Sequence, residues 1–381
     1  MHRITRLGLA TATALAAAGS LAPSATAATP ADSGHHGGHH AVFVQTDNLA
    51  GNRIIAYRRA DDGTLTQDGG YDTGGLGGAL NGSVVDHLAS QGSLTYDEGH
   101  GLLYAVNAGS DTVTVFAVDG DHLERRQVID SGGSFPVSIA VHDGVVYVLN
   151  ALNGGSVQGY TVRDGRLEER SGWHRSLGLD PTATPQFTNT PGQVGFVADG
   201  SQLVVTTKAN GNNLDVFRLD HSGAPSDTPV VTNLPGAVPF GFVPYGHHGI
   251  HLTEAGPNAL AAFTIHPDGT ATQDTLAATG QSATCWVVAV HDLLYTSNAG
   301  SSTLSGFRAG DHGRQLTALG TTPTNPGTVD AAVSGNGRFL YVQTGGEGVL
   351  DEFRVDDDGS LAPLDSLLVP DAVGGEGIVA F

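Results

Sequence analysis

The chain is poor in the residues that usually carry chemistry or cross-links. It has one cysteine, Cys285, in 381 residues. An intramolecular disulfide is therefore excluded, and no CxxC or Cys/His zinc pattern is present. Lys and Arg together number 17 against 38 Asp and Glu, for a formal net charge of −21. That balance lacks the basic footprint of a nucleic-acid binder and disfavours an anionic membrane surface, so no nucleic-acid partner is expected. Beyond the N-terminus no stretch approaches the ~20 apolar residues of a membrane-spanning helix, so no membrane insertion is expected. There is no GxSxG elbow, no HExxH, no Walker A motif and no GxGxxG after a strand. Asp-Gly turns such as Asp356–Gly359 lack the spacing and distal Glu of an EF-hand. No cofactor is expected.

Glycine is abundant, at 55 residues, while only 14% of the chain is charged. This composition suits many short strands and tight turns rather than helices. The N-terminus carries Arg3 and Arg6, then the Ala-rich run LGLATATALAAAG, then the small-x-small site Ala25-Thr26-Ala27. These features predict a signal peptide over residues 1–27 and a secreted, extracellular mature chain. Residues 28–40, ATPADSGHHGGHH, read as a disordered His-rich leader. Its His35, His36, His39 and His40 are candidate metal ligands, and the alternative is a flexible polar tail.

From Ala41 onward one pattern recurs. In LLYAVNAGSDTVTVFAVDGDHL (Leu102–Leu123), an apolar strand, a turn, a strand alternating at period two and a second turn follow each other. The aromatic of the alternating strand returns at Tyr57, Phe116, Tyr160, Phe217, Phe263, Phe307 and Phe353. Successive spacings run from 44 (Phe116 to Tyr160) to 59 (Tyr57 to Phe116) residues. Each copy then reaches a turn such as Asp119-Gly120 or Asp268-Gly269, where Gly tolerates positive φ. Strands such as VSIAV and WVVAV precede the motif and strands such as LERRQVID follow it. Four antiparallel strands in each of seven copies predict an all-β, seven-bladed β-propeller over residues 41–381. The first copy lacks its innermost strand, and GIVAF (Gly377–Phe381) is a spare one. The C-terminal strand is expected to pair with the first blade and close the ring. A monomer is expected. Two long insertions, 69–93 and 173–191, are either walls of a binding site or spacers.

Comparison among the copies marks a ring at one mouth of the central channel: Thr46, Asn107, Asn150, Lys208, Glu254, Asn298 and Thr344. Five are small neutral turn formers, whereas Lys208 and Glu254, on adjacent blades, are charged. They read either as an ion pair tying two blades or as a catalytic pair. In the second reading Glu254 is the general base and Lys208 stabilises negative charge developing on a carbonyl. Asn107, Asn150 and Asn298 are candidate substrate contacts. The starts of the inner strands add Gln193, Cys285, Trp286, Asp330 and Glu376. Gln193 and Trp286 would orient a polar ring by hydrogen bonding and stacking. Cys285 reads either as a nucleophile or as a buried, inert thiol.

The repeat resembles the lactonase-like seven-bladed propellers, a grouping with 6-phosphogluconolactonase, carboxymuconate cyclase and YVTN-type surface propellers. The matching stretches are LLYAVNAGSDTVTVFAVDGDHL, VVYVLNALNGGSVQGYTVRDGRL, LLYTSNAGSSTLSGFRAGDHGRQL and RFLYVQTGGEGVLDEFRVDDDGSL. The resemblance implies His, Arg and acidic residues at the channel mouth. Here the inner-strand starts SFPVSIAV, PGQVGFV, VPFGFV, TCWVVAV and TVDAAV hold neither His nor Arg, so no family catalytic residue carries over. Two functions follow as expectations: an exported hydrolase or isomerase of a small lactone, or a non-catalytic propeller binding a glycan, peptide or cell-surface partner.

Overall fold

The computed structural model describes residues 40–381. The expected signal peptide and His35, His36 and His39 of the leader lie outside the described residues. His40 is described, and its Nδ1 faces the guanidinium of Arg59 at 2.8 Å.

The described chain folds into seven antiparallel sheets, six of four strands and one of five. Each sheet is a blade, and its first strand faces the central channel. The inner strands of blades 2 to 7 are Leu94–Asp97, Pro136–His142, Pro191–Val197, Pro239–Tyr245, Thr284–Val290 and Thr328–Val333. Blade 1 takes its inner strand from the C-terminus: Ile378–Ala380 pairs with Ala41–Gln45 in the register Val42↔Ala380, Phe43↔Val379, Val44↔Ile378. The expected closure is therefore made, and it removes two unpaired edges where chain ends meet.

Alternation decides which way each strand faces. The seven repeating aromatics are all buried, with Tyr57, Phe116, Tyr160, Phe217, Phe263, Phe307 and Phe353 between 0% and 4% exposed. They fill the space between sheets; Val42, Val44, Ile55 and Tyr57 of blade 1, for example, meet Phe339, Tyr341 and Leu350 of blade 7. Each fully buried side chain of this kind is worth roughly 1.5–3 kcal/mol.

A polar joint recurs at several blade boundaries. The second-strand tyrosine donates its hydroxyl to the turn glycine of the next blade: Tyr147 to Gly223 O at 2.7 Å, Tyr295 to Gly359 O at 3.0 Å and Tyr341 to Gly63 O at 2.7 Å. Blade 5 uses His251 at the same position, its Nε2 lying 2.8 Å from Gly313 O. Gly63 has φ +96° and its Cα faces the Phe339 ring so closely that a Cβ would collide with it. The turn thus needs glycine both for its backbone conformation and for this approach.

Candidate channel site

The inner strands of blades 3 to 7 share an irregularity at their first residues. Pairing with the second strand shifts register between Pro136 and Ser138, Pro191 and Gln193, Pro239 and Phe242, Thr284 and Trp286, and Thr328 and Ala331. A bulge leaves backbone groups outside the ladder and re-aims them. Here it presents them around one mouth of the channel, called the upper mouth because the inner strands begin there.

The insertion leading into blade 2 occupies that mouth. Residues 84–93 form a strap that meets successive blades. Ser90 Oγ donates to Val137 O at 2.8 Å, and the Gln91 N–H donates to Gly192 O at 3.1 Å. The Gln91 side-chain amide mimics a peptide bond against blade 6, its Nε2 on Val287 O and its Oε1 accepting from Val287 N, both at 3.0 Å. Trp286 donates its indole N–H to Ser90 O, and Lys208 donates its ammonium to Ala89 O. Val85 packs with Phe240, Trp286 and Val329. The 69–93 insertion is thus neither a spacer nor a side wall at this point; its last part is a seal.

The seal changes the surroundings of the residues read from the sequence. All seven ring residues are buried, at 0–5% exposure. Asn107 gives its amide N–H groups to Thr112 and Thr114, Asn150 to Ser131 O, and Asn298 to Thr303 and Ser305. Their amide donors serve their own turns. Lys208, the only lysine of the chain, points under the strap, with Nζ 5.2 Å from the Phe240 ring centroid. Burial brings its amine down to about 8, partly opposed by the nearby carboxyls of Asp86 and Glu376. Glu254 does not meet it. No ion pair joins the two among the described residues, and Glu254 instead lines a groove of about 330 Å³ with Asn233, Gly236, Pro257 and Gln273. Burial raises its carboxyl. Trp286 is 3% exposed and packs edge-on against Phe240 with centroids 4.9 Å apart, so its ring is spent on the strap and its neighbour. The Cys285 thiol is pushed up to about 12 by burial, the state of an inert thiol.

Two of the predicted residues, Gln193 and Asp330, do share a space. Below the strap the channel holds a cavity of about 390 Å³, floored by Gln91 and Gly92 and walled by Thr95, Ile139, His142, Phe196 and Ile378 as well. That volume falls in the range of small-molecule sites. Exposed Pro244 and half-buried His142 place its opening at the lower mouth. Gln193 is held by its amide, which donates to Phe242 O at 3.0 Å and accepts from Phe242 N at 2.6 Å. Asp330 accepts from the Ala331 N–H at 2.9 Å, yet burial still lifts its carboxyl to about 7. No Lys or Arg lines the cavity, and Asp330 and His142 are its titratable side chains.

Glu376 belongs to neither space. It is fully buried between the strap and the closing strand, with Ser90 Oγ at 2.6 Å and Ser90 N at 3.2 Å from its carboxyl and its own N–H donating to Asp47 Oδ2 at 2.9 Å. Asp47, Asp86, Ser90 and Gln91 were not evident in the sequence as central residues. The available signal was Asp86 itself, a charge inside the otherwise apolar and small run SVVDHLAS. Among the described residues no group of His, Cys, Asp and Glu is placed to hold a metal ion, and no helix is long and apolar enough to cross a membrane. The 173–191 insertion adds a short helix, Gln186–Asn189, and meets the first insertion where Gln186 Oε1 accepts from Asn81 N at 2.9 Å.

These features define a seven-bladed β-propeller closed by its C-terminal strand and sealed at one mouth. Residues 71–239 match the family described as Lactonase, 7-bladed beta-propeller. Solved structures agree in fold. A proposed 6-phosphogluconolactonase from Bacteroides fragilis is similar with a TM-score of 0.70 at 17% identity, over 89% of this chain and 96% of that one. The periplasmic gluconolactonase of Pseudomonas aeruginosa is similar with a TM-score of 0.68 at 18% identity, over 89% and 98% of the two chains. A streptogramin B lyase is more distant, with a TM-score of 0.54 at 14% identity over 79% and 89%. At such identities the likeness is one of fold. No curated protein matches the chain.

Proposed function

We propose that the chain is an exported hydrolase of a small neutral lactone, with the lower channel cavity as its site. The observation that carries this reading is Asp330, a carboxyl in the cavity wall whose burial sets it near the pH at which it would work. As carboxylate it takes a proton from water while that water attacks the ring carbonyl; the ring C–O bond then breaks and the alkoxide leaves with a proton. The absence of Lys and Arg from the lining favours an uncharged ring over a phosphorylated one. The lactonase names carried by the family and by two similar structures support the substrate class. The N-terminal signal supports export.

The test is turnover of uncharged sugar and acyl lactones followed by pH-stat. kcat/KM is expected to rise through about pH 7, and Asp330→Asn to lower kcat at least ~100-fold, the usual scale of a lost general base. Glu254→Gln is expected to leave it unchanged. Equal turnover in Asp330→Asn would remove Asp330 from the site.

A second reading is favoured by one observation: the polar groups of Asn107, Asn150, Asn298, Gln193 and Trp286 are engaged within the protein. It is a non-catalytic propeller that binds an extracellular glycan, peptide or cell-surface partner. Saturable binding of a lactone without its hydrolysis would select it.

A further inference from the structure

The strap is anchored by ionisable groups from several separate elements. Asp86 of the strap and Glu376, just before the closing strand, are neighbouring buried carboxyls, each raised by burial and each acting on the other. Asp86 Oδ2 is buried and has no hydrogen-bond partner. Two buried carboxyls so placed are tolerated only while one of them carries a proton, which the other can accept. Asp47 adds a third carboxyl from the first turn of blade 1, holding the Glu376 N–H at 2.9 Å and the Gln45 amide at 2.6 Å. Asp330 approaches from blade 7, its charge felt by Glu376. Opposite them stand Lys208 of blade 4 and the neutral thiol of Cys285 of blade 6. His87, on the strap itself, donates its backbone N–H to Gly374 O at 2.8 Å. Four carboxyls thus face one ammonium, and full ionisation leaves three uncompensated negative charges (−4 + 1 = −3) inside the seal.

We propose that the 84–93 strap is a proton-operated stopper: it stays seated while Asp86 and Glu376 share a proton. When that proton is withdrawn the strap lifts, opening the channel from face to face and uncovering Lys208. Excess buried charge of one sign is relieved either by protonation or by letting water in. The strap is held by individual hydrogen bonds to blades 3, 4 and 6, whereas the inner strands it covers are paired along their length. Burial, and then the charge of Asp86, holds Glu376 well above the usual carboxylate range, and burial holds Asp47 up to about 8. The sealing proton is therefore retained well above the ordinary carboxylate range and is lost only as pH rises beyond it.

Lys208 is the reporter. An amine-acylating reagent can react only with it and with the N-terminal amine, and peptide mapping separates the two. Its acylation rate is measured from about pH 6 to about pH 9.5 and divided by that of a free lysine amide at each pH. Titration of Lys208 lowers this ratio as pH rises, because its amine is already neutral when that of free lysine is not; a rise therefore reports uncovering. The ratio is expected to rise at least ~10-fold while amide-exchange protection of the blade 4 strand Gln202–Thr207 stays constant. Glu376→Gln keeps an acceptor for Ser90 and gives Asp86 a permanent donor, so it is expected to hold Lys208 covered throughout. A flat or falling ratio in the parent protein, a rise that coincides with loss of protection in blade 4, or a folded Glu376→Gln protein that opens like the parent each overturns the stopper.

Discussion

The joints between blades and the seal at the centre hold the same ring by different means. A joint is small, neutral and repeated: a tyrosine hydroxyl reaches a glycine carbonyl at 2.7–3.0 Å, at three boundaries. The seal is made once, from a segment with no counterpart in other blades, and its carboxyls are displaced far from their ordinary state. The difference separates two jobs. The tyrosine joints carry stability that hardly varies with pH, because a buried tyrosine hydroxyl does not titrate in the physiological range. The seal ties stability to protons and sets from which face the channel is reached.

The largest expected effect breaks the closure on which the seal rests. Deleting residues 375–381 removes the inner strand of blade 1 together with Glu376, the partner of Asp86 and Ser90. Losing a paired strand and its buried acid is expected to cost more than ~5 kcal/mol, beyond the range of ordinary single substitutions. Thermal melting should show no cooperative transition near that of the parent; a parental melt would show that the ring closes without this strand.

The next effect reads the seal through pH. Burial raises Asp47 to about 8 and Asp330 to about 7, from 3.8 in both cases. Their favourable contribution is therefore complete below about pH 4 and is lost as pH rises through these values. Lys208 has the opposite sign. Its amine is lowered from 10.5 to about 8, so its contribution is complete above 10.5 and lost as pH falls through 8. Stability should be greatest in mild acid and fall on the order of several kcal/mol between pH 4 and 8. Melting temperature against pH checks this, and a curve that climbs from pH 4 to 8 contradicts the assignment.

The smallest effect isolates one joint. Tyr341→Phe leaves the Gly63 carbonyl without its donor and should cost about 1–2 kcal/mol in denaturant unfolding. The matched control is Tyr57→Phe. Tyr57 is equally buried, but its hydroxyl has no partner, so its removal should be neutral or stabilising by up to about 1 kcal/mol. Equal losses in the two variants would mean that the joint hydrogen bond adds nothing beyond aromatic packing.

The same contrast explains what the sequence made legible. The blade framework is written seven times over, so the aromatic at Tyr57, Phe116 and their fellows could be aligned copy against copy, and the blade count and C-terminal closure followed. The seal is written once. Asp86 and Ser90 lie in an insertion that no other copy can be compared with, and nothing local says that the chain crosses the channel there. Lys208 and Glu254 stood out because they depart from the repeat. Departure marks a position with a separate task, and for Lys208 that task is under the strap. It does not fix a direction, and Glu254 turns to another groove. Asp330 was placed at an inner-strand start by the same comparison, and its cavity became visible only once the strap had divided the channel.

The claim beneath all of this is that the usable space of the channel lies below the strap and is entered from the lower mouth. The direct test compares two thiols at neutral pH with a small uncharged alkylating reagent. One is Thr95→Cys, in the cavity wall; the other is native Cys285, whose thiol burial raises to about 12. The account predicts that the cavity thiol is alkylated at least ~100-fold faster, as its larger thiolate fraction requires. Alkylation of Cys285 at a rate equal to or above that of Thr95→Cys would show that the upper mouth is open.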